Sequence, residues 1–156
     1  IAHLSVLQNV EMGLTLSGVS KAERQKRAIE VLTRVGLKDH IHKRPNQLSG
    51  GQMQRVALAR TIAQDPTIIL ADEPVASLDP LTAKQVMSDF KKVNEELNIS
   101  ILANMHHVDM ALKYARRVIG IKDGEIIYDG PADVVDNALL KKVYGRELTD
   151  DDIMDN

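Results

Sequence analysis

Two short segments of this sequence carry residue types that could bind a phosphate and act on it. The first, Leu48-Ser49-Gly50-Gly51-Gln52, places two glycines at the start of a predicted helix. Glycines let backbone N–H groups approach an anion at the positive end of a helix. About twenty residues later, an apolar run ends in Asp72 and Glu73. Such a pair can hold a divalent cation and activate water for attack on a phosphate.

A third element of phosphate chemistry is not in the sequence. No glycine is followed by lysine, so the 156 residues contain no G-x-x-x-x-G-K-[ST] loop. The chain also opens at Ile1 without a methionine. We therefore interpret it as the back portion of an ATPase, and we expect no ATP turnover by this segment alone.

Composition excludes several other classes of protein. The net charge of −2 gives no basic footprint for nucleic acid, and the absence of cysteine excludes disulfides and thiolate metal sites. An apolar content of 44% and a charged content of 27% are ordinary for a globular domain. No apolar run approaches the roughly 20 residues needed to cross a bilayer.

Two capping boxes predict helix starts that position the first segment. Ser20-Lys21-Ala22-Glu23 starts a helix that runs to Val35 and stops at Gly36. Ser49-Gly50-Gly51-Gln52 starts a second helix that ends near Gln64, before a proline. Gln8 is read as an ordinary polar residue at an earlier helix start.

The carboxylates follow a predicted strand. Residues 67–71 form a continuous apolar run, which predicts a strand buried on both faces. A helix over 82–97 and a second core strand over 100–103 follow, and this order predicts a parallel sheet. Ligands of such sheets lie at the carboxyl ends of the strands. We therefore expect Asp72, Glu73 and His106 to converge on one edge.

The remaining elements are predicted from a turn signal and from helical spacing. Asp123-Gly124 predicts a type I′ turn between strands Val118–Ile121 and Ile126–Tyr128, after a helix over 108–115. The chain from Pro131 is predicted to be helical to Tyr144 and frayed from Asp150 onward.

These segments together resemble a known family. Leu48–Gln52, Asp72-Glu73, Ser77-Leu78-Asp79 and His106 are similar, in order and spacing, to the signature, Walker B, D-loop and switch-histidine elements of ABC-type ATPases. The resemblance covers residues 5–130.

The resemblance implies an α/β fold: a partial P-loop NTPase of ABC type. A parallel sheet flanked by helices would be joined by an α-helical subdomain and a C-terminal β-hairpin. The implied parts are a signature-bearing helical subdomain over 1–51, the second half of the α/β core over 52–130, and a C-terminal helix and tail over 131–156. The family's phosphate loop (Walker A), adenine-stacking aromatic and glutamine loop would precede this segment.

The same resemblance implies roles for single residues. Asp72 would hold Mg²⁺ through water, Glu73 would be the catalytic base, and His106 would contact the γ-phosphate. Asp79 would contact the phosphate loop of the partner subunit across a dimer. The signature residues would bind the γ-phosphate of ATP held by the opposite subunit: Ser49, Gly50, Gly51 and Gln52.

Histidines other than His106 receive plainer interpretations. His107 could compete for the switch position, but the residues after the pair place His106 there. His107 is then a polar residue at a helix start. His3, His40 and His42 are interpreted as surface residues.

The resemblance also implies a function and partners. ATP and Mg²⁺ would be bound by two such subunits in a head-to-tail dimer, which would drive transmembrane permease subunits from the inner, cytoplasmic face of the membrane. The runs 71–80, 104–109 and 128–131 look most like phosphonate importers. The segment before the signature looks equally like lipoprotein-releasing or peptide-export ATPases. A truncated, non-catalytic interaction module is the alternative of a different class. An ABC protein acting on DNA or ribosomes is disfavoured by the absence of long heptads or a basic arm.

Overall fold

The computed structural model describes residues 1–15 and 18–154. They form two compact units, one over Ile1–Leu102 and one from Ala103 onward. No helix within the described residues combines the length and apolar character that crossing a membrane requires.

Three helices and two 3₁₀ turns open the first unit. They are α1 (Val6–Thr15), α2 (Lys21–Arg34), 3₁₀ turns at Lys38–His40 and Pro45–Gln47, and α3 (Gly50–Ile62). Helix α1 packs against both α2 and α3, and its Val10 and Leu14 are buried together with Leu32 of α2. This packing forms the helical core that carries the start of α3.

Both predicted capping boxes lie at helix starts. The Ser20 side chain accepts a hydrogen bond from the Glu23 backbone N–H at the start of α2. At the start of α1, Gln8 and Ser5 exchange two bonds, because each backbone N–H donates to the other's side chain, which confirms the reading of Gln8 as a helix-start residue. Helix α2 ends at Arg34, and Gly36 follows with a positive φ of 74°.

A strand, a helix and the first part of a second strand complete the first unit. Strand β1 (Ile68–Asp72) is followed by α4 (Pro80–Leu97) and β2 (Ser100–Asn104), which pairs with β1. The Ser100 N–H donates to the Thr67 carbonyl at 3.1 Å, so the two strands start side by side. The parallel sheet predicted from the element order is confirmed.

The predicted burial of both strand faces is wrong. Ile69 is 4% exposed, whereas Ile68 and Leu70 on the opposite face are 51% and 74% exposed, and Leu102 on β2 is 55% exposed. Side chains alternate between the two faces of a strand, and the described residues cover only one of these faces. An apolar run in sequence therefore marks two faces that are fit for burial, one of which is open here.

This open apolar face is expected to make the isolated chain self-associate. Size-exclusion chromatography with light scattering should report species larger than the monomer. Leu70→Thr should shift the population toward monomer, because threonine keeps strand propensity while removing apolar area. Leu81→Thr is the matched control, since Leu81 is 79% exposed but lies on α4. A monomer that melts cooperatively well above roughly 45–65 °C would contradict the prediction.

The second unit is built around a β-hairpin. It contains α5 (Val108–Tyr114), β3 (Arg117–Lys122), β4 (Glu125–Pro131), a 3₁₀ turn at Ala132–Val134 and α6 (Asn137–Tyr144). Strands β3 and β4 pair antiparallel, with Lys122 opposite Glu125. Asp123 and Gly124 have φ values of 52° and 81°. Positive φ at both central residues is the mark of a type I′ turn, so the predicted turn is confirmed.

The end of the chain differs from the prediction in two ways. The helix predicted from Pro131 is interrupted, because the 3₁₀ turn comes first and Asp136 then caps α6. The predicted fraying is wrong for the residues from Asp150 to Met154, because hydrogen bonds hold them. Asp152 accepts hydrogen bonds from Arg146 at 2.6 Å and from the Thr149 N–H at 2.7 Å.

These contacts fix the tail through charge and through one long-range bond. The Arg146 guanidinium holds the pKa of the Asp152 carboxyl well below its usual range. The Met154 N–H donates to Asp109, at the start of α5, at 3.0 Å. Acidic residues at a chain end suggest fraying by composition, but here the Arg146 cation and the N–H and hydroxyl of Thr149 satisfy the buried carboxylate.

Candidate functional site

The start of α3 is organised by its capping box. The Ser49 Oγ accepts from the Gln52 N–H at 3.3 Å, and the Gln52 Oε1 accepts from the Ser49 N–H at 2.9 Å. Ser49 and Gly50 are exposed, whereas Gly51 is buried. The exposed residues and the positive end of the helix thus form a surface on which an anion could lie.

The two glycines allow a close approach of α3 to the start of α4. A Cβ placed on Gly51 would lie 2.4 Å from the Thr82 Cγ2, and one placed on Gly50 would lie 2.9 Å from the Leu78 Cδ2. One turn along α3, the Arg55 Nε donates to the Asp89 carboxylate at 2.6 Å. The sequence predicted these glycines for approach to a phosphate, and Gly51 is also needed for this helix contact.

The contact predicts that Gly51→Ala destabilises the first unit. The new methyl group would force α3 and α4 apart, at a cost of about 1–3 kcal/mol in the free energy of unfolding. Thr82→Ser removes the opposing methyl group and keeps the hydroxyl, so the double variant should recover much of the loss. Urea unfolding of both single variants and the double variant tests this. Additive losses would mean that the two side chains do not oppose each other.

Asp72 and Glu73 lie where the sheet ends. Asp72 is the last residue of β1 and is exposed, and Glu73 follows with a positive φ of 46°. The Glu73 carbonyl accepts from the Ala76 N–H at 3.1 Å, which starts a tight turn. Positive φ in a residue other than glycine is uncommon and tends to occur at functional sites. The turn thus fixes the backbone of the second carboxylate at the strand end.

A metal would find few protein ligands here. Within residues 1–15 and 18–154, no group of three or more His, Cys, Asp or Glu side chains could hold a metal ion. Asp72 contributes one carboxylate group at an exposed strand end. This suits Mg²⁺, which keeps several waters and is usually held by one or two carboxylates plus substrate phosphates.

Asp79 ends this turn as the N-cap of α4. Its Oδ1 accepts from the Thr82 N–H at 3.0 Å, and Pro80 occupies the first helical turn. Hydrogen bonds from Thr82 hold the pKa of Asp79 below its ordinary value. Asp79 therefore remains ionised near neutral pH, on a surface that also includes Leu78 and the start of α3.

The two adjacent histidines occupy different positions. His106 is exposed at a bend, two residues after the end of β2. His107 is the N-cap residue of α5 and makes no side-chain capping bond. The interpretation of His107 as a polar residue at a helix start is confirmed.

The first unit brings together several of the predicted site residues. The signature residues lie against the turn that contains Leu78 and Asp79, and the same turn begins at Glu73. His106 belongs to the second unit, and its convergence with the strand-end carboxylates stays a prediction.

Sequence reasoning missed one partner of the signature. The Gln52 Nε2 lies 2.8 Å from the His40 Nε2, and the His40 Nδ1 is buried without a hydrogen-bond partner in the described structure. The interpretation of His40 as a plain surface residue is therefore wrong. His3 and His42 are exposed, as predicted. No spacing rule links positions 40 and 52, because a loop and a 3₁₀ turn separate them.

Comparison with known proteins gives a consistent result. The sequence model of the ABC transporter family matches residues 1–76. The chain is 49% identical, over 97% of its length, to the phosphonates import ATP-binding protein PhnC of Staphylococcus epidermidis. It is 47% identical to PhnC of Staphylococcus aureus strain MRSA252 over the same share. In both cases the chain spans 62% of the relative's length.

Solved structures give the same assignment. An ATP-binding cassette solved as a dimer in a post-hydrolysis state, bound to ADP and Pi, matches with a TM-score of 0.70 and 40% identity, over 85% of this chain and 58% of that one. The protein cbiO1 of Clostridium perfringens, part of the transporter complex cbiONQ, matches with a TM-score of 0.77 and 30% identity, over 90% and 53%. The chain is therefore similar in sequence and in fold to ATP-binding proteins of the ABC transporter family.

Proposed function

We propose that this chain is the C-terminal part of an ATP-binding and ATP-hydrolysing subunit of an ABC transporter, and that the transporter imports phosphonate-type substrates. The observation that carries the proposal is the 49% identity to PhnC over 97% of the chain. The signature, Walker B, D-loop and switch-histidine motifs support it, because together they supply chemistry suited to ATP hydrolysis.

The signature surface binds the γ-phosphate of ATP held by a second subunit. Ser49 and Gly50 are exposed at the positive end of α3, and Gly51 allows α3 to approach α4. Gln52 contributes by capping Ser49. Asp79, beside this surface, contacts the phosphate loop of the same second subunit.

The strand-end carboxylates divide the work of hydrolysis. Asp72 would hold Mg²⁺ through water, and the bound ion would supply positive charge to the phosphate oxygens. Glu73 accepts a proton from the attacking water, and His106 donates a hydrogen bond to the γ-phosphate. The fixed turn at Glu73 supports this role, because a base must be held within hydrogen-bond reach of the water.

The proposed assembly has two copies of the subunit and a permease. The two ATP-binding subunits meet head to tail and act on transmembrane permease subunits at the inner face of the membrane. The functional parts are residues 1–51, 52–130 and 131–156, as the motifs divide them. The net charge of −2 gives no case for a nucleic-acid partner.

A chimera tests the proposal directly. Residues 1–156 would replace the matching segment of Staphylococcus epidermidis PhnC, so that the relative supplies the rest of its own length. ATP hydrolysis by this chimera, well above that of the 156-residue chain alone, is the expected result. An inactive chimera that folds and binds ATP would contradict the proposal.

The coding sequence offers a second, independent test. A G-x-x-x-x-G-K-[ST] motif encoded within about a hundred residues upstream of Ile1 is expected. A start codon at this point would instead favour a non-catalytic interaction module.

A further inference from the structure

His40 and Gln52 join two elements that are distant in sequence. His40 ends the 3₁₀ turn Lys38–His40, and its backbone is fixed by bonds from its N–H to the Leu37 carbonyl and from the Lys43 N–H to its own carbonyl. Its Nε2 lies 2.8 Å from the Nε2 of Gln52. The backbone of His40 is thus fixed, and its imidazole ring contacts Gln52, the last residue of the signature.

The orientation of the Gln52 amide is set by a backbone group. The Ser49 N–H can only donate, and it points at the Gln52 Oε1 from 2.9 Å. The amide oxygen therefore faces Ser49, and the amide NH₂ group faces His40. Reversing the amide would oppose two donors at Ser49 and break the capping box.

An amide NH₂ group is only a donor, so His40 must accept at Nε2. An imidazole that accepts at Nε2 is neutral and carries its proton on Nδ1. A charged imidazolium, or the other neutral tautomer, would set an N–H against the amide NH₂ at 2.8 Å. The buried Nδ1 has no partner in the described part of the chain, so this nitrogen selects neither state and the contact at Nε2 decides the tautomer.

We infer that His40 is a positioning residue for the signature. As the neutral Nδ1–H tautomer, it accepts a hydrogen bond from Gln52 and keeps the Gln52 amide in the orientation that caps Ser49. An effect of His40 on ATP hydrolysis rests on the proposed function, because only that function gives the signature surface a ligand. The tautomer and the contact can be measured without nucleotide.

The first experiment is long-range ¹H–¹⁵N NMR of the imidazole nitrogens in the 156-residue chain, with the His40 signals assigned by their loss in His40→Ala. We expect a protonated Nδ1 and a bare Nε2 at neutral pH. In Gln52→Glu, a carboxylate oxygen faces the ring, and the proton should then be found on Nε2. A protonated Nε2 in the unsubstituted chain, or an unchanged pattern in Gln52→Glu, would overturn the inference.

The second experiment is a double-mutant cycle by urea unfolding at matched low protein concentration. His40→Ala and Gln52→Ala should be coupled by about fivefold in the unfolding equilibrium constant, the usual net size of one hydrogen bond. His40→Gln should preserve most of this coupling, because its side-chain oxygen can also accept. His42→Ala with Gln52→Ala is the matched control, since His42 is exposed near the same turn. Equal coupling in the control cycle, or no coupling in the first, would refute the contact.

The third experiment tests the consequence for ATP. In the chimera, His40→Ala should lower turnover, and His40→Gln should restore most of it. Full turnover in His40→Ala would overturn the positioning role. An inactive chimera would instead count against the proposed function, while the spectra and the cycle would still decide the tautomer and the contact.

Discussion

Replacing Glu73 with glutamine in the chimera should lower steady-state ATP hydrolysis by about 10²–10⁴-fold and leave ATP binding nearly unchanged. Glutamine keeps the shape of the side chain and loses the group that accepts a proton from water. The positive φ at position 73 is a backbone property, so the turn should persist in the variant. Hydrolysis by phosphate release and binding by fluorescent-nucleotide titration measure the two effects separately.

A matched control for this variant is available at the contact between α3 and α4. Asp89→Asn removes a carboxylate that pairs with Arg55 at 2.6 Å and lies far along α4 from the strand end. It should reduce stability more than turnover at saturating ATP. Near-normal hydrolysis by Glu73→Gln would show that Glu73 is not the base.

His106→Ala in the chimera should cost about 10²–10³-fold in turnover, and His107→Ala should cost far less. A donor that is already in place where charge develops during phosphoryl transfer stabilises the transition state strongly. His107 instead lies at the N-cap of α5 without a capping bond, so its loss removes little. Turnover numbers at saturating ATP are the measurement.

The comparison of these two histidines carries its own control, because the residues are adjacent and equal in size. Thermal melts of both variants separate a folding defect from a catalytic one. Equal losses of turnover, or a larger loss at His107, would mean that the switch position lies one residue later than proposed.

Much of the local structure could be predicted because short-range chemistry determines it. Ser49 and Gln52 are three residues apart, so the capping box is visible in sequence, and its bonds form as expected. The Asp123-Gly124 turn is likewise a property of two adjacent residues. The strand before Asp72 was found from its apolar run.

What could not be predicted depends on contacts between distant positions. The approach of Gly51 to Thr82 joins two helices, and no local pattern distinguishes a glycine that faces an anion from one that faces a methyl group. The link between His40 and Gln52 depends on the path of a loop. The exposure of the strand face at Leu70 depends on which elements pack against it, and this cannot be predicted from the residue type.

The two-residue turn of the β3–β4 hairpin also sets an order of events during refolding. Its partners are near neighbours in the chain, from Lys122 opposite Glu125 outward to Arg117 opposite Pro131. Hairpins of this kind form in about 1–10 μs. Strands β1 and β2 must first close a loop that contains all of α4, and this costs more chain entropy. The hairpin is therefore expected to form before the parallel pair, and to offer α6, which packs against β3 and β4, a preformed surface on which to dock.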